Sequence, residues 1–186
     1  NYPTPSDAIA DLNAKGVSGP VIFDIRSGTY TMDSARRTIN AITGSSAANR
    51  VTFRSVTGNP TDVRLTYTAA AAVANFVLRL NSASNVTIKN ISIQNTATAS
   101  YSRGLDIAGT SANDSIVNCN LSTTIPLVST SNAYALVWAS GVTGANNVFI
   151  DNDFTNGTYG VYLAGSSTTN VASGWVFENN KFVDQK

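Results

Sequence analysis

One pattern recurs four times in this chain: a large apolar residue, any residue, Asn or Asp, any two residues, then a large apolar residue. It reads Ile88-x-Asn90-x-x-Ile93, Ile116-x-Asn118-x-x-Leu121, Phe149-x-Asp151-x-x-Phe154 and Phe177-x-Asn179-x-x-Phe182, at steps of 28, 33 and 28 residues. A second series, Arg79-Leu80, Asp106-Ile107, Leu136-Val137 and Tyr162-Leu163, keeps pace at steps of 27, 30 and 26. Two series holding nearly one period mean a chain built from equivalent units. Weaker earlier units stand at Val51 to Arg54 followed by Val63 to Thr66, and at Val21 to Ile25 closed by Ser27-Gly28.

Within each unit apolar and polar residues alternate, as in Val63-Arg64-Leu65 and Leu78-Arg79-Leu80, which is the period of a half-buried strand. Turn-forming clusters separate the strands: Thr57 to Pro60, Asn81 to Asn85, Gly109 to Asn113, Gly141 to Asn147 and Gly165 to Asn170. Sandwich strands do not repeat one motif in register, and a propeller blade needs ~40–45 residues. A period of about 28 residues with two or three short strands predicts a parallel β-helix: an all-β solenoid of about six coils. Successive coils then stack at the strand spacing of ~4.8 Å. Ile88, Ile116, Phe149 and Phe177 are expected to pile up inside, and Asn90, Asn118, Asp151 and Asn179 to form a ladder of shared amides at a bend.

The segment Pro5 to Gly16 reads as a short helix capped by Ser6 or Asp7, with Ile9 and Leu12 laid over the first coil. The expected organisation is a single domain over 1–186, with a cap over 1–20 and coils over 21–186. The C-terminal stretch Phe182 to Lys186 shows no comparable cap. The expectation is therefore a module of a longer secreted chain, or an end that meets another chain.

Composition narrows the chemistry. The chain has no His and one Cys, Cys119, which removes Cys/His zinc centres, Ser-His-Asp and Cys-His catalysis and any internal disulfide. Cys119 reads as a small buried hydrophobe. Asn, Ser and Thr fill 64 of 186 positions and only 12% are charged, a surface more like a secreted than a cytosolic protein. The most apolar stretch, Thr68 to Leu80, is mostly Ala and contains Arg79, so no membrane span is expected. No nucleic-acid partner is expected either.

The segments Val86-Thr87-Ile88-x-Asn90 and Asp151-Asn152-Asp153-Phe154 resemble the repeats of right-handed parallel β-helix proteins, the pectate-lyase-like superfamily. The opening, Ser6 to Leu12 through Gly16, Gly19-Pro20-Val21 and Ser27-Gly28-Thr29-Tyr30, resembles β-helix segments in large secreted surface proteins of Bacteroidetes. The resemblance implies a right-handed coil and a secreted or cell-surface location in a bacterium. Its motifs describe coils and caps rather than chemistry.

Charge is unevenly spread. Residues 26–103 hold nine basic residues against Asp33 and Asp62, and residues 104–186 hold Lys181 and Lys186 against six acids. Arg54 and Lys89 fall at equivalent places one coil apart, a basic stripe suited to the carboxylates or sulfates of an anionic polysaccharide. Tyr134, Trp138 and Tyr162 offer flat rings with polar edges for sugar contact.

The superfamily's hydrolases use several Asp with Gly-His-Gly and Arg-Ile-Lys segments, neither of which is present here. Only Asp151 and Asp153 stand in as a carboxylate pair on one strand face, and Asp151 also occupies the ladder. The superfamily's lyases use Arg or Lys as base, often with Ca²⁺ held by acids. Arg79 and Asp106, with Tyr162 two coils on, are the corresponding stripe, and no acid cluster surrounds Arg79 to hold Ca²⁺. The expectation is a non-catalytic module without cofactor or metal, a spacer or adhesion unit with glycan binding. The alternatives are a polysaccharide lyase or glycosidase, and a protein assembling end to end into filaments.

Overall fold

The computed structural model describes residues 1–98, 101–124, 131–169 and 172–185. Asn170, at the end of the last predicted turn, and Lys186 lie outside them. One helix, α1 (Pro5–Lys15), precedes six coils. Coil 1 contains β1 (Val21–Ile25), β2 (Gly28–Thr31) and β3 (Thr38–Ile39). Coil 2 contains β4 (Val51–Ser55), β5 (Val63–Tyr67) and β6 (Leu78–Asn81). Coil 3 contains β7 (Val86–Lys89), β8 (Ser92–Asn95) and β9 (Leu105–Ala108). Coil 4 contains β10 (Ser115–Val117), β11 (Asn120–Thr123) and β12 (Val137–Val142). Coil 5 contains β13 (Val148–Ile150), β14 (Asp153–Thr155) and β15 (Val161–Gly165). Coil 6 contains β16 (Val176–Glu178) and β17 (Lys181–Val183). The first strands of the coils form sheet A (β1-β4-β7-β10-β13-β16), the second strands sheet B (β2-β5-β8-β11-β14-β17) and the third strands sheet C (β3-β6-β9-β12-β15). Every pairing is parallel. The chain is a parallel β-helix.

The expected inner column forms and is longer than predicted. Phe23, Phe53, Ile88, Ile116, Phe149 and Phe177 lie in consecutive register on sheet A. Tyr30, Leu65, Ile93, Leu121, Phe154 and Phe182 do the same on sheet B. Where rings meet rings they stack: Phe23 and Phe53 at 4.6 Å, Phe154 and Phe182 at 4.8 Å between centroids. Each buried side chain of this size contributes roughly 1.5–3 kcal/mol, so the columns rather than any crosslink hold the coils together.

The predicted Asn ladder is corrected. Among the described residues of that series only Asn118 and Asn90 share an amide hydrogen bond, at 2.9 Å. What the four have in common is backbone: Asn90, Asn118, Asp151 and Asn179 have φ of 57°, 48°, 56° and 52°. Each turns the chain from sheet A to sheet B in the left-handed region, which Asn and Asp tolerate best among non-glycine residues. The load-sharing amides sit one residue later and point inward. Asn152 Oδ1 accepts from the Cys119 N–H and Asn180 Oδ1 from the Asn152 N–H, both at 2.9 Å. Their Nδ2 groups donate to the Ile116 and Phe149 carbonyls. Cys119 belongs to this buried column, and burial pushes its thiol up to about 12.

α1 closes the N-terminal end as expected, with Ile9 and Leu12 buried in the core. Its cap is Thr4, whose hydroxyl accepts from the Asp7 N–H, not Ser6 or Asp7. Pro5 starts the helix, and Ser6 is turned inward to Met32 and the Asp33 N–H. Among the described residues no helix is long and apolar enough to cross a membrane.

Candidate functional site

Sheet C carries the most chemically varied surface of the solenoid. At the start of its strands Leu78, Leu105, Val137 and Val161 pack on the core in register, and their successors face out. Those successors are Arg79, Asp106, Trp138 and Tyr162, one column with a rung every ~4.8 Å along the solenoid axis. The stripe joining Arg79, Asp106 and Tyr162 was legible in the repeat. Its third rung was misplaced, because the series took Leu136-Val137 where the register has Trp138-Ala139. The connection into β12 is longer than those into β9 and β15, and the apolar pair where it joins β12 imitated the motif.

The connections from sheet B to sheet C, spanning 68–77, 96–104 and 124–136, supply further groups. Arg79 donates through Nε and Nη2 to Asp106 Oδ2 at 2.9 and 2.6 Å. Asp106 is almost fully buried, and that burial raises its carboxyl above the usual range, against the pull of the Arg79 and then the Arg103 charge. The Arg103 guanidinium lies over the Trp138 ring, 3.6 Å from its centroid, and burial draws its pKa down. Trp138 and Tyr162 stack at 4.5 Å and 11°, with Tyr159 edge-on to Tyr162.

On the other flank, Arg79 sits 4.6 Å from the Phe76 ring, and Arg37 is clamped between Tyr67 and Phe76 at 3.6 and 4.0 Å. Arg37 donates to the Phe76 and Ala74 carbonyls, but its Nε has no partner, and its salt-bridge partners among the described residues are none. Burial lowers its pKa. The face presents two guanidinium groups, Arg79 and Arg103, against one carboxylate, beside the rings of Trp138, Tyr162 and Tyr159, while Arg37 and Phe76 are buried beneath it.

Such a surface offers guanidinium donors to carboxylate or sulfate and ring edges to a sugar, since Trp138 carries Tyr162 on one face and Arg103 on the other. Arg79 is held as a double donor to Asp106. Hydrolysis needs two carboxylates facing one bond, and the other candidates are elsewhere: Asp151 in the turn between sheets A and B, Asp153 at the start of β14 on sheet B. Both are exposed. They do not share a strand as expected, because β13 ends at Ile150 and the left-handed bend intervenes. Nor do the residues fit Ca²⁺: Asp106 lies between two arginines, and among the described residues no three acids, Cys or His converge.

The predicted glycan contacts divide between two faces. Arg54 and Lys89 are neighbours in register on sheet A, and Arg54 is tied to Asp24 at 2.6 Å. Trp138 and Tyr162 are on sheet C. Tyr134 ends the short turn Asn132–Tyr134, half-buried, its carbonyl accepting from the Thr158 N–H. Arg37 and Phe76 were missed at the sequence level. They lie in irregular connections outside either repeat series, and no spacing rule reaches them.

No family model matches the chain, and no curated protein matches it. Among solved structures it is similar to the pectin methylesterase from Aspergillus niger in deglycosylated form. That likeness covers 100% of this chain and 84% of the other, at 11% identity and a TM-score of 0.40.

Proposed function

We propose that this chain is a non-catalytic, extracellular glycan-binding module of a bacterial surface or secreted protein, and that the outer face of sheet C receives an anionic polysaccharide. One observation carries the reading. Trp138 and Tyr162 form a face-to-face aromatic stack in the same column as the Arg79–Asp106 pair, with Arg103 on the other face of Trp138. Ring edges on adjacent rungs lie beside the guanidinium groups of Arg79 and Arg103, whose excess over the one carboxylate favours uronate or sulfate substituents. Arg54 and Lys89, on another face, are outside this surface.

Calorimetric titration against polygalacturonate, a sulfated glycan and a neutral polymer tests it. Wild-type protein is expected to prefer the anionic polymers. Trp138→Ala should weaken binding tenfold or more, and Arg103→Gln should erase the preference for charge. Arg54→Gln with Lys89→Gln should leave affinity unchanged. Binding that survives Trp138→Ala would overturn the assignment of the face. Release of unsaturated or reducing ends on incubation would replace the non-catalytic reading with an enzymatic one.

A further inference from the structure

Arg37 is the one arginine or lysine that is fully buried among the described residues, 1% exposed, and no carboxylate there pairs with it. Buried guanidinium groups are almost always paired. Every part of this one is fixed except one edge. Tyr67 and Phe76 cover it, and Nη1 donates to the Phe76 carbonyl. The remaining edge carries Nε and Nη2, the two donors that meet an oxyanion as a fork. Nη2 donates to the Ala74 carbonyl at 3.1 Å, and Nε meets nothing.

Two other arginines show what that edge takes when an acid is in reach. Arg36 donates through Nε and Nη2 to Asp33 Oδ2 at 3.2 and 2.8 Å. Arg79 does the same to Asp106 Oδ2 at 2.9 and 2.6 Å. On Arg37 a single neutral carbonyl stands where those two hold a carboxylate. That carbonyl belongs to the turn at 70–74, whose residues 70–73 are exposed, Val73 at 86%. Among the described residues, the bond from Arg37 is the hydrogen bond that ties this turn to the coils, and the others are internal to it. Asn75 and Val77, just beyond, are anchored to Ala133, Arg103 and Gly104. The turn can therefore lift while Phe76 and the clamp on Arg37 stay in place, and lifting bares the Nε–Nη2 edge.

We propose that this edge is a binding site for one oxyanion, a sulfate or carboxylate, and that the turn at 70–74 is its cover. Cover and anion compete for Nη2, and the anion also answers Nε. Opening alone leaves both donors bare, which is costly, whereas opening with an anion exchanges one neutral acceptor for two charge-assisted contacts. The apparent affinity is that of the open form reduced by the fraction that is open. The proposal does not depend on the glycan-binding reading, because its probe is inorganic sulfate.

Titration of the whole chain with sulfate at constant ionic strength, followed by backbone amide resonances and amide hydrogen exchange, tests it. Sulfate generally strengthens the folded state and so slows exchange. Here the amides of Ala74, Asn75 and Phe76, bonded within the turn to the Ala71, Ala72 and Ala74 carbonyls, should exchange faster as sulfate is added while the strands slow. Arg37→Lys keeps the charge but lacks the fork, and should weaken sulfate binding at least tenfold. Ala71→Gly with Ala72→Gly loosens the exposed cover and should tighten binding about fivefold. The wild-type exchange and the glycine variant read the site whether or not Arg37→Lys folds. A sulfated glycan that competes with sulfate makes the anion a polymer substituent, and one that does not makes it the free ion; both support the site. Slower exchange at Ala74, Asn75 and Phe76, binding that survives Arg37→Lys, or no gain from the loosened cover would overturn the proposal.

Discussion

Asp106 and Asp114 are eight residues apart, both almost fully buried, and on opposite sides of the solenoid wall. Asp106 faces outward from sheet C and is met by Arg79, with Arg103 nearby. Asp114 lies on the core side of the corner between sheets C and A. One of its oxygens accepts from the Val86 N–H at 2.8 Å, and the other has no partner. Arg50 acts on it only through charge, since its donors go to Thr87, Ser115 and the Asn113 carbonyl. The same corner one coil later holds Asn147, whose Oδ1 accepts from the Asp114 N–H and whose Nδ2 donates to the Ser111 carbonyl. An amide satisfies both sides of the corner; a carboxylate satisfies one. Burial pushes Asp114 up to about 7. A buried carboxylate answered by cations is compatible with a charged surface, whereas one in an amide column makes the fold itself sensitive to pH.

That contrast can be broken by substitution, beginning with the largest effect. An acid whose folded pKa is raised keeps its proton in the native state while the unfolded chain loses it. Stability from Asp114 is therefore fully present below about pH 4 and is lost as pH rises toward about 7. The three-unit displacement corresponds to about 4 kcal/mol at most. Asp114→Asn, copying Asn147, should raise stability at pH 8 by about 2–4 kcal/mol and change it little at pH 4.5. Denaturant melts at the two pH values measure this, and an unchanged pH 8 midpoint would erase the distinction between the two aspartates.

Arg79→Met should turn Asp106 into a second Asp114. Removing the cation leaves a buried carboxylate unpaired, costing about 2 kcal/mol at pH 8 and much less at pH 4.5, where the proton neutralises it. Asp106→Asn keeps an acceptor for Arg79 and removes an acid whose folded pKa is raised, so its cost, about 1 kcal/mol at pH 4.5, should shrink as pH rises. It also removes the one carboxylate of the face, so anionic glycan affinity should hold or rise. The exposed Asp151 is the reference for both. Asp151→Asn should shift stability by less than about 0.5 kcal/mol at either pH. Asp151→Ala should cost about 1 kcal/mol, because its φ of 56° disfavours a Cβ without a polar arm.

Much of the solenoid was legible because its information is periodic. Ile88, Ile116, Phe149 and Phe177 are recognisable as one column from spacing alone, since equivalent residues of stacked coils must share an environment. The Asn positions were legible as a series but not in their purpose. A left-handed φ and a side-chain ladder favour the same residue type, and only the backbone separates Asn118 from Asn152. The site was half legible. Arg79, Asp106 and Tyr162 share the strand period, whereas Arg103, Phe76 and Arg37 arrive from connections of unequal length.

By itself the sequence determined the path of the backbone: a repeated strand–turn unit with apolar residues on alternate positions can bury them only by stacking coil upon coil. The tertiary structure alone decided which groups from the irregular connections lie over the strands, and so which arginine rests on Trp138 and which rings clamp Arg37. The reason is physical. A regular element carries its side-chain directions in its period, but where a loop places a guanidinium depends on the surface it folds against, and that surface exists only once the coils are stacked.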